Sequence, residues 1–212
     1  MRIAIIGAGR VGRALGGRWA LAGHDVVYGV RDPADPKVAD LAQVATPQGA
    51  VAGADVVLIA LPWAATKDVV TGLSVGDAVV IDATNPLAAN ARELVANPLL
   101  AGAELVRDWM GGARLVKAFN TTGSGNMVNP DYGAQPPMMP VAGDDEAAKA
   151  TVIGLANQIG FVGVDTGPLS GARDLEHLAM LWIRMAYPLG NGPDIAFALL
   201  RRQASGGVVS DT

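Results

Sequence analysis

Apolar residues along the chain form short runs that are separated by segments with helical spacing. Several of these runs are rich in Val, Ile, Leu and Ala and end at turn-forming residues, which predicts buried β-strands. The predicted strands are Arg2–Ile6, Asp25–Gly29, Asp55–Ala60, Ala78–Ala83, Leu115–Phe119, Met138–Ala142 and Val162–Asp165.

Helical spacing of apolar residues follows most of the predicted strands. The predicted helices are Arg10–Ala22, Val38–Leu41, Trp63–Thr71, Ala101–Met110, Asp144–Ile159, Gly171–Tyr187 and Ile195–Arg202. Strands that alternate with helices in this way predict an α/β fold with a parallel, doubly wound sheet of the Rossmann type. The glycine- and proline-rich stretch 123–137 is predicted to be a long loop.

Composition and charge narrow the range of partners. Half of the 212 residues are hydrophobic and 17% are charged, which is typical of a compact globular chain. The net charge is -4 and no run of Lys or Arg occurs, so we expect no nucleic-acid binding. The absence of cysteine excludes disulfides and thiolate metal sites and fits a cytoplasmic protein. No apolar stretch reaches about 18 residues, so we expect no membrane span.

A glycine-rich turn joins the first predicted strand to the first predicted helix. Its residues are Gly7, Ala8, Gly9, Arg10, Val11 and Gly12, which match the pattern G-x-G-x-x-G. In that pattern the first glycine allows a tight turn, the second lets the backbone approach a pyrophosphate, and the third lets the helix pack on the strand. Because the helix N-terminus offers free N–H groups and a positive dipole, the turn predicts a dinucleotide-binding site.

The end of the second predicted strand indicates which dinucleotide binds. NAD-specific sites usually carry an acidic residue there, which holds the ribose 2′-hydroxyl. This chain has Arg31 instead, and a guanidinium attracts the 2′-phosphate of NADP(H). Arg10 is a second candidate for that phosphate, whereas Asp32 adds a carboxylate beside Arg31. We predict NADP(H) as the cofactor; the alternative is that Arg31 is a solvated turn residue.

Polar and aromatic residues follow the next three predicted strands, at the edge where doubly wound sheets bind ligands. They are Leu61, Pro62 and Trp63 after the third strand, Thr84 and Asn85 after the fourth, and Asn120 after the fifth. The amides and hydroxyl are expected where a nicotinamide ring would lie. Trp63 either stands beside the adenine or the nicotinamide ribose or packs on the sheet edge. Lys117, within a strand, is a candidate structural cation.

The sequence shows no evident acid or base for carbonyl chemistry. His24 lies in a predicted surface turn, and His177 lies on a predicted helix without an Asp or Ser partner at motif spacing. The sequence has no nucleophile elbow and no cluster of metal ligands, so we name no catalytic residue and no metal. Direct hydride transfer between two bound cofactors needs mainly positioning and exclusion of water, and it fits such a site.

Several short segments, ordered along nearly the whole chain, resemble one family. They are Ile5–Gly12, Gly29–Asp32, Leu61–Trp63, Val116–Thr121, Val141–Asp145, Asp165–Leu169 and Leu175–Leu178. The chain resembles the NADPH-dependent reductases of the 8-hydroxy-5-deazaflavin coenzyme (coenzyme F-420), whose nucleotide domain recurs in the six-transmembrane metalloreductases. The archaeal deazaflavin reductases carry a histidine where this chain has Asn120, and the segment Lys117–Thr121 is closer to the metalloreductases.

The resemblance implies the organisation of the chain. We expect a dinucleotide-binding Rossmann domain over residues 1–168, a small C-terminal helical extension over 169–205 packed on it, and a flexible tail over 206–212. The resemblance also implies that the protein forms a homodimer and that its other partners are small-molecule cofactors.

The resemblance further implies roles for individual residues. Arg10, Arg31 and the turn glycines would hold NADP, and the segments Leu61–Trp63 and the one around Asn120 would line the nicotinamide. The second cofactor, a deazaflavin or alternatively FAD or FMN, would stack on the nicotinamide in a cleft between the sheet edge and the C-terminal helix.

Three functions remain open from the sequence. The first is hydride transfer between NADPH and a deazaflavin, the second is NADPH-dependent reduction of a flavin or of ferric iron, and the third is NADP binding by a regulatory module without turnover. Reduction of a small imine or hydroxy acid is disfavoured, because it needs a larger helical domain than the residues after Asp165 provide.

Overall fold

A computed structural model describes residues 1–89, 93–95 and 100–202. Eight strands are found in this part of the chain: β1 (Arg2–Ile6), β2 (Asp25–Gly29), β3 (Val44–Ala45), β4 (Val56–Ile59), β5 (Val79–Asp82), β6 (Leu115–Lys117), β7 (Met138–Gly143) and β8 (Val162–Asp165). The α-helices are α1 (Arg10–Leu21), α2 (Pro47–Val51), α3 (Trp63–Val70), α4 (Gly102–Trp109), α5 (Ser124–Val128), α6 (Glu146–Gln158) and α7 (Ala172–Ala186).

The strands form one sheet in the order β3-β2-β1-β4-β5-β6-β7-β8. Strands β1 to β6 are parallel, and the order of these six strands is that of the Rossmann fold. Strand β7 is antiparallel to β6, because the connection between them begins and ends at the same edge of the sheet, and β8 is parallel to β7. The predicted α/β Rossmann-type fold is confirmed, as a sheet that is parallel over most of its width.

The core lies on both faces of the sheet. Alternate residues of β1 enter opposite clusters, Ile3 and Ile5 with α1 and α6, and Ala4 and Ile6 with α2 and α4. Trp19 of α1 is fully buried and donates its indole N–H to a backbone carbonyl of α6 at 3.3 Å. The helices on both faces leave only the ends of the strands for ligands.

Between β2 and β4 the sequence-based prediction was wrong in detail. The predicted helix Val38–Leu41 is a short 3-10 turn over Pro36–Val38, which begins where the carboxylate of Asp35 accepts the N–H of Lys37 at 2.9 Å. The short elements β3 and α2, which follow this turn, were not predicted because two and five residues carry too little periodicity.

The predicted helix Ile195–Arg202 is also wrong. This segment has no regular secondary structure, and two of its carbonyls accept hydrogen bonds from distant groups. Trp182 Nε1 donates to Ile195 O at 2.7 Å, and Met138 N donates to Phe197 O at 2.8 Å. The predicted tail over 206–212 lies outside the described residues. Among the helices of the described part, none is long and apolar enough to cross a membrane.

Candidate functional site

The glycine turn lies at the carboxyl edge, the edge of the sheet at which β1 to β6 end. Gly7 has a φ of 108°, a conformation that favours glycine, and a Cβ there would lie 2.5 Å from the carbonyl oxygen of Ala60. A Cβ on Gly12 would clash with the carbonyl oxygen of Gly7, so a glycine is needed for α1 to approach β1. A Cβ on Gly9 meets no atom within 4 Å. The structure shows the conformational roles of Gly7 and Gly12, whereas ligand binding at Gly9 stays a prediction.

The candidate 2′-phosphate residues lie next to this turn. The carbonyl of Gly29, the last residue of β2, accepts the N–H of Gly7 at 3.1 Å, so the end of β2 adjoins the turn. Arg31 follows two residues later and is exposed, as is Arg10 at the start of α1. One carboxylate oxygen of Asp32 accepts the backbone N–H two residues on at 2.9 Å. Asp32 therefore closes a turn in its own loop.

Trp63 begins α3 directly after the end of β4, with Leu61 half-buried and Pro62 exposed before it. Its ring packs on Trp109 of α4, with the ring centroids 5.3 Å apart and an interplanar angle of 39°. The structure thus shows packing between α3 and α4, and a place for Trp63 beside the adenine or the nicotinamide ribose stays a prediction. Trp109 was not singled out from the sequence, because the two tryptophans belong to different helices.

Two asparagines join the ends of β5 and β6. Asn85 Nδ2 donates to Asn120 O at 2.9 Å, and Asn120 Nδ2 donates to Asn85 Oδ1 at 3.0 Å. Asn120 Nδ2 also donates to Leu175 O of α7 at 3.1 Å. Since a backbone carbonyl can only accept, this contact fixes which amide atom is nitrogen and leaves Asn120 Oδ1 facing elsewhere.

Two buried oxygens at this edge have no protein partner among the described residues: Asn120 Oδ1 and Thr84 Oγ1. Asn120 is 4% and Thr84 is 2% exposed. Buried polar atoms are nearly always hydrogen-bonded, so each exception needs an explanation. Asn120 Oδ1 can only accept a hydrogen bond, whereas the Thr84 hydroxyl can donate or accept one.

Phe119 has a φ of 59°, in the left-handed region that bulky residues rarely adopt. This conformation ends β6 at Lys117 instead of at Phe119, where the sequence-based prediction placed the end. The buried Phe119 ring packs edge-on against Trp19 at 5.6 Å, and the Phe119 N–H lies 3.1 Å from the sulfur of Met139. Packing thus holds a strained residue immediately before Asn120, as is common at functional sites.

Lys117 is a buried structural cation. Its ammonium group donates to Asp82 at 2.8 Å and to the carbonyl of Thr84, and it lies 3.6 Å from Glu176 of α7. Glu176 also accepts the N–H groups of Gly102 and Ala103, both at 3.1 Å, at the start of α4. These contacts connect β5, β6, α4 and α7, and Glu176 was not identified from the sequence.

A cavity of about 340 Å³ opens beside these contacts. Its apolar wall is formed by Trp63, Pro86, Trp109 and several leucine side chains. Helix α7 contributes Arg173, Glu176 and His177 to the lining. This volume is within the range of small-molecule sites, about 300–1,000 Å³.

Neither histidine forms a catalytic pair in the structure. His177 is exposed, and its Nδ1 lies 2.8 Å from the carbonyl oxygen of Arg173. His24 Nε2 lies 2.7 Å from the side-chain oxygen of Gln158 on α6. Within the described ranges no group of three His, Asp or Glu side chains is placed to hold a metal ion.

Comparisons with known proteins agree with this geometry. Residues 2–86 match the sequence model of the coenzyme F420-dependent NADP oxidoreductases. Over 188 residues the chain is 27% identical to the metalloreductase STEAP3 of Rattus norvegicus, which covers 84% of this chain and 36% of STEAP3. The chain thus spans about a third of the length of this curated relative.

Two solved structures match almost the whole chain. A proposed F420-dependent NADP reductase from Arthrobacter sp. FB24 has a TM-score of 0.79 and 28% identity, and the match covers 95% of this chain and 100% of that one. The hypothetical protein SMa0349 of Sinorhizobium meliloti has a TM-score of 0.74 and 27% identity, over 95% and 96% of the two chains. The resemblance predicted from the sequence is confirmed over residues 2–86, which match the sequence model of the coenzyme F420-dependent NADP oxidoreductases.

Proposed function

We propose that the chain binds NADP(H) along the carboxyl edge and exchanges a hydride between NADPH and a deazaflavin. The observation that carries this proposal is the pair of buried oxygens, Thr84 Oγ1 and Asn120 Oδ1, which have no protein partner among the described residues. They follow β5 and β6 at the same edge of the sheet as the glycine turn. Both atoms can accept hydrogen bonds from the amide of a nicotinamide. The family match of residues 2–86 and the reductases among the relatives support the same cofactor.

Each part of the edge fits one part of the cofactor. The N-terminus of α1, where Gly9 leaves open space, suits a pyrophosphate. Arg31 suits a 2′-phosphate, because a guanidinium forms charge-assisted hydrogen bonds with phosphate oxygens. Thr84 and Asn120 would orient the nicotinamide. When bound, NADPH supplies a hydride from its nicotinamide ring, and the acceptor takes up this hydride and a proton.

The cavity beside Trp63 suits the second substrate. Its wall holds Trp63 and Trp109, whose rings pack on each other and give the cavity an aromatic side for a planar ring system. The cavity reaches from Pro86, directly after the Thr84–Asn85 segment, to α7. A planar ring there would lie near the predicted nicotinamide site, as hydride transfer requires.

The test is a titration of the purified protein with NADPH, followed by addition of a deazaflavin. We expect saturable NADPH binding and oxidation of NADPH that depends on the deazaflavin. Binding of NADPH without turnover by any deazaflavin or flavin would contradict the enzymatic part and would favour a regulatory module.

Trp109→Ala tests the location of the second substrate. It should raise the KM for the acceptor by roughly 2–10-fold, from an aromatic contact of about 0.5–1.5 kcal/mol, and leave the Kd for NADPH unchanged. Tyr187→Ala, at an exposed aromatic residue outside the cavity, is the control. Equal KM values for Trp109→Ala and the wild type would place the acceptor elsewhere.

A flavin or ferric reductase is the second candidate. The 27% identity with the metalloreductase STEAP3 favours it. FAD, FMN and a ferric chelate should therefore be assayed in parallel with the deazaflavin, and the acceptor with the highest kcat/KM decides between the two proposals. The homodimer, the cytoplasmic location and the division at residue 168 stay predictions.

A further inference from the structure

Arg13, near the start of α1, ties the glycine turn to the loop that carries Arg31. All three nitrogens of its guanidinium donate to protein acceptors: Nε to Ala8 O at 3.0 Å, Nη1 to the carboxylate of Asp40, and Nη2 to the carbonyl of Lys37. Ala8 belongs to the glycine turn, whereas Lys37 and Asp40 belong to the loop 31–41. One planar group therefore connects the glycine turn to the far end of the loop that carries Arg31.

The loop 31–41 is wound into successive turns, so a contact at its far end restricts its beginning. Asp32 and Asp35 each accept the backbone N–H two residues on, both at 2.9 Å. Val38 N donates to Asp35 O, and Leu41 N donates to Val38 O, both at 3.0 Å. The side chain of Val38 is buried. Fixing Lys37 and Asp40 therefore also limits where Arg31 can lie.

We propose that Arg13 is a positioning residue that sets the spacing between the pyrophosphate and 2′-phosphate sites and thereby determines the preference for NADPH over NADH. This inference rests on the proposed function. Arg13 acts through the loop, since its nitrogens are engaged by Ala8, Lys37 and Asp40. NADH lacks the 2′-phosphate, so the position of Arg31 affects its binding little.

Charge supports the same role. The loop contains two cations, Arg31 and Lys37, and three carboxylates, Asp32, Asp35 and Asp40. Hydrogen bonds from Arg13 hold the pKa of Asp40 below its ordinary value, so Asp40 remains charged. Without Arg13 the loop would present an excess of negative charge to a phosphate.

The Arg13–Asp40 pair contributes little to folding stability, because the two side chains are 33% and 66% exposed. A change in cofactor preference can therefore be measured in a folded variant. The Kd values for NADPH and NADH should be measured for the wild type, Arg13→Gln, Arg13→Lys, Arg31→Gln and the double variant Arg13→Gln/Arg31→Gln, with thermal melting to verify folding.

Arg13→Gln should raise the Kd for NADPH by about ten-fold and that for NADH by no more than about two-fold. Arg13→Lys should also lose preference, because an ammonium keeps the charge but cannot span the three acceptors. In the double variant the effect of Arg13→Gln should be largely absent, since residues that act through one another are not additive.

Arg2→Gln is the matched control. Arg2 is 34% exposed and pairs with Asp25 at 2.8 Å, but this pair lies at the amino edge of the sheet. Its variant should keep the preference of the wild type.

Any one of three results would overturn this inference and leave the proposed function standing. These results are equal losses of NADPH and NADH binding in Arg13→Gln, wild-type preference in Arg13→Lys, and full additivity of Arg13→Gln with Arg31→Gln. A wild type that does not prefer NADPH would overturn the proposed function, and this inference with it.

Discussion

Replacing Lys117 with methionine would remove the cation from a buried cluster and leave its partners without compensation. The Lys117 and Asp82 side chains are fully buried, and that of Glu176 is 4% exposed. Breaking a buried ion pair by removal of one partner costs about 3–5 kcal/mol, because a charge stays behind in a medium of low polarity. Here two carboxylates stay behind, and the carbonyl of Thr84 loses a donor.

The expected loss is a large part of the stability of a domain, which is typically about 5–15 kcal/mol in total. In a domain of this size 1 kcal/mol corresponds to about 2–4 °C, so the Tm of Lys117→Met should fall by roughly 6–20 °C. Chemical denaturation with urea gives the free energy of unfolding.

Lys149→Met is the matched control. Lys149 is similarly buried, at 5% exposure, but its partners Asp165 and Glu146 are 44% and 83% exposed. Water can solvate these carboxylates when the lysine is removed, so the loss should be about 1 kcal/mol or less. A loss for Lys117→Met that is no larger than that for Lys149→Met would refute the reasoning from burial.

Three further predictions concern the phosphate sites and the acid side of the stability profile. Arg31→Glu should weaken NADPH binding by roughly 10–100-fold and NADH binding much less, because a charge-assisted contact of about 1.5–3 kcal/mol with the 2′-phosphate is lost. Equal weakening of both cofactors, measured by titration, would refute the 2′-phosphate assignment. Gly9→Val should abolish dinucleotide binding and preserve the Tm, since the new Cβ meets no protein atom within 4 Å. Gly17→Val, equally uncrowded on α1, controls for the added side chain. Unchanged affinity of Gly9→Val would exclude contact with the pyrophosphate. Hydrogen bonds from Arg114 lower the pKa of Asp145 to about 2. The stability from this contact is present above the ordinary pKa of Asp145 and is lost as the pH falls towards 2. Arg114→Gln should therefore flatten the decrease in unfolding free energy between about pH 4 and 2, measured by urea titrations. An unchanged slope would show that the Arg114–Asp145 contact does not cause the decrease.

The sequence predicts well what depends on local pattern. Apart from the two-residue β3, the strands of the parallel sheet are recognisable as apolar runs. The glycine turn is recognisable because Gly7 and Gly12 are needed within a few residues of each other. The parallel arrangement then places Thr84, Asn85 and Asn120 at one edge without further information.

The sequence predicts poorly what depends on distant contacts. Arg13 and Asp40 are 27 residues apart, and Glu176 lies 74 residues from the N–H group of Gly102 that it accepts. No periodicity indicates such pairs. Phe119 shows the same limit in the backbone: its local sequence favours a strand, but buried packing holds it at a φ of 59°.

The contacts of α7 indicate that the C-terminal helix is part of the site. Its consecutive residues Leu175 and Glu176 reach two different groups, because the carbonyl of Leu175 orients Asn120 and the carboxylate of Glu176 faces Lys117. The same carboxylate accepts N–H groups at the start of α4, so it links α7 to the wall of the cavity. In a chain cut before α7, Lys117 would lose the carboxylate of Glu176, and the amide of Asn120 would lose the carbonyl that orients it. We therefore infer that residues 169–202 fold together with the sheet, and that the orientation of the proposed nicotinamide site depends on them.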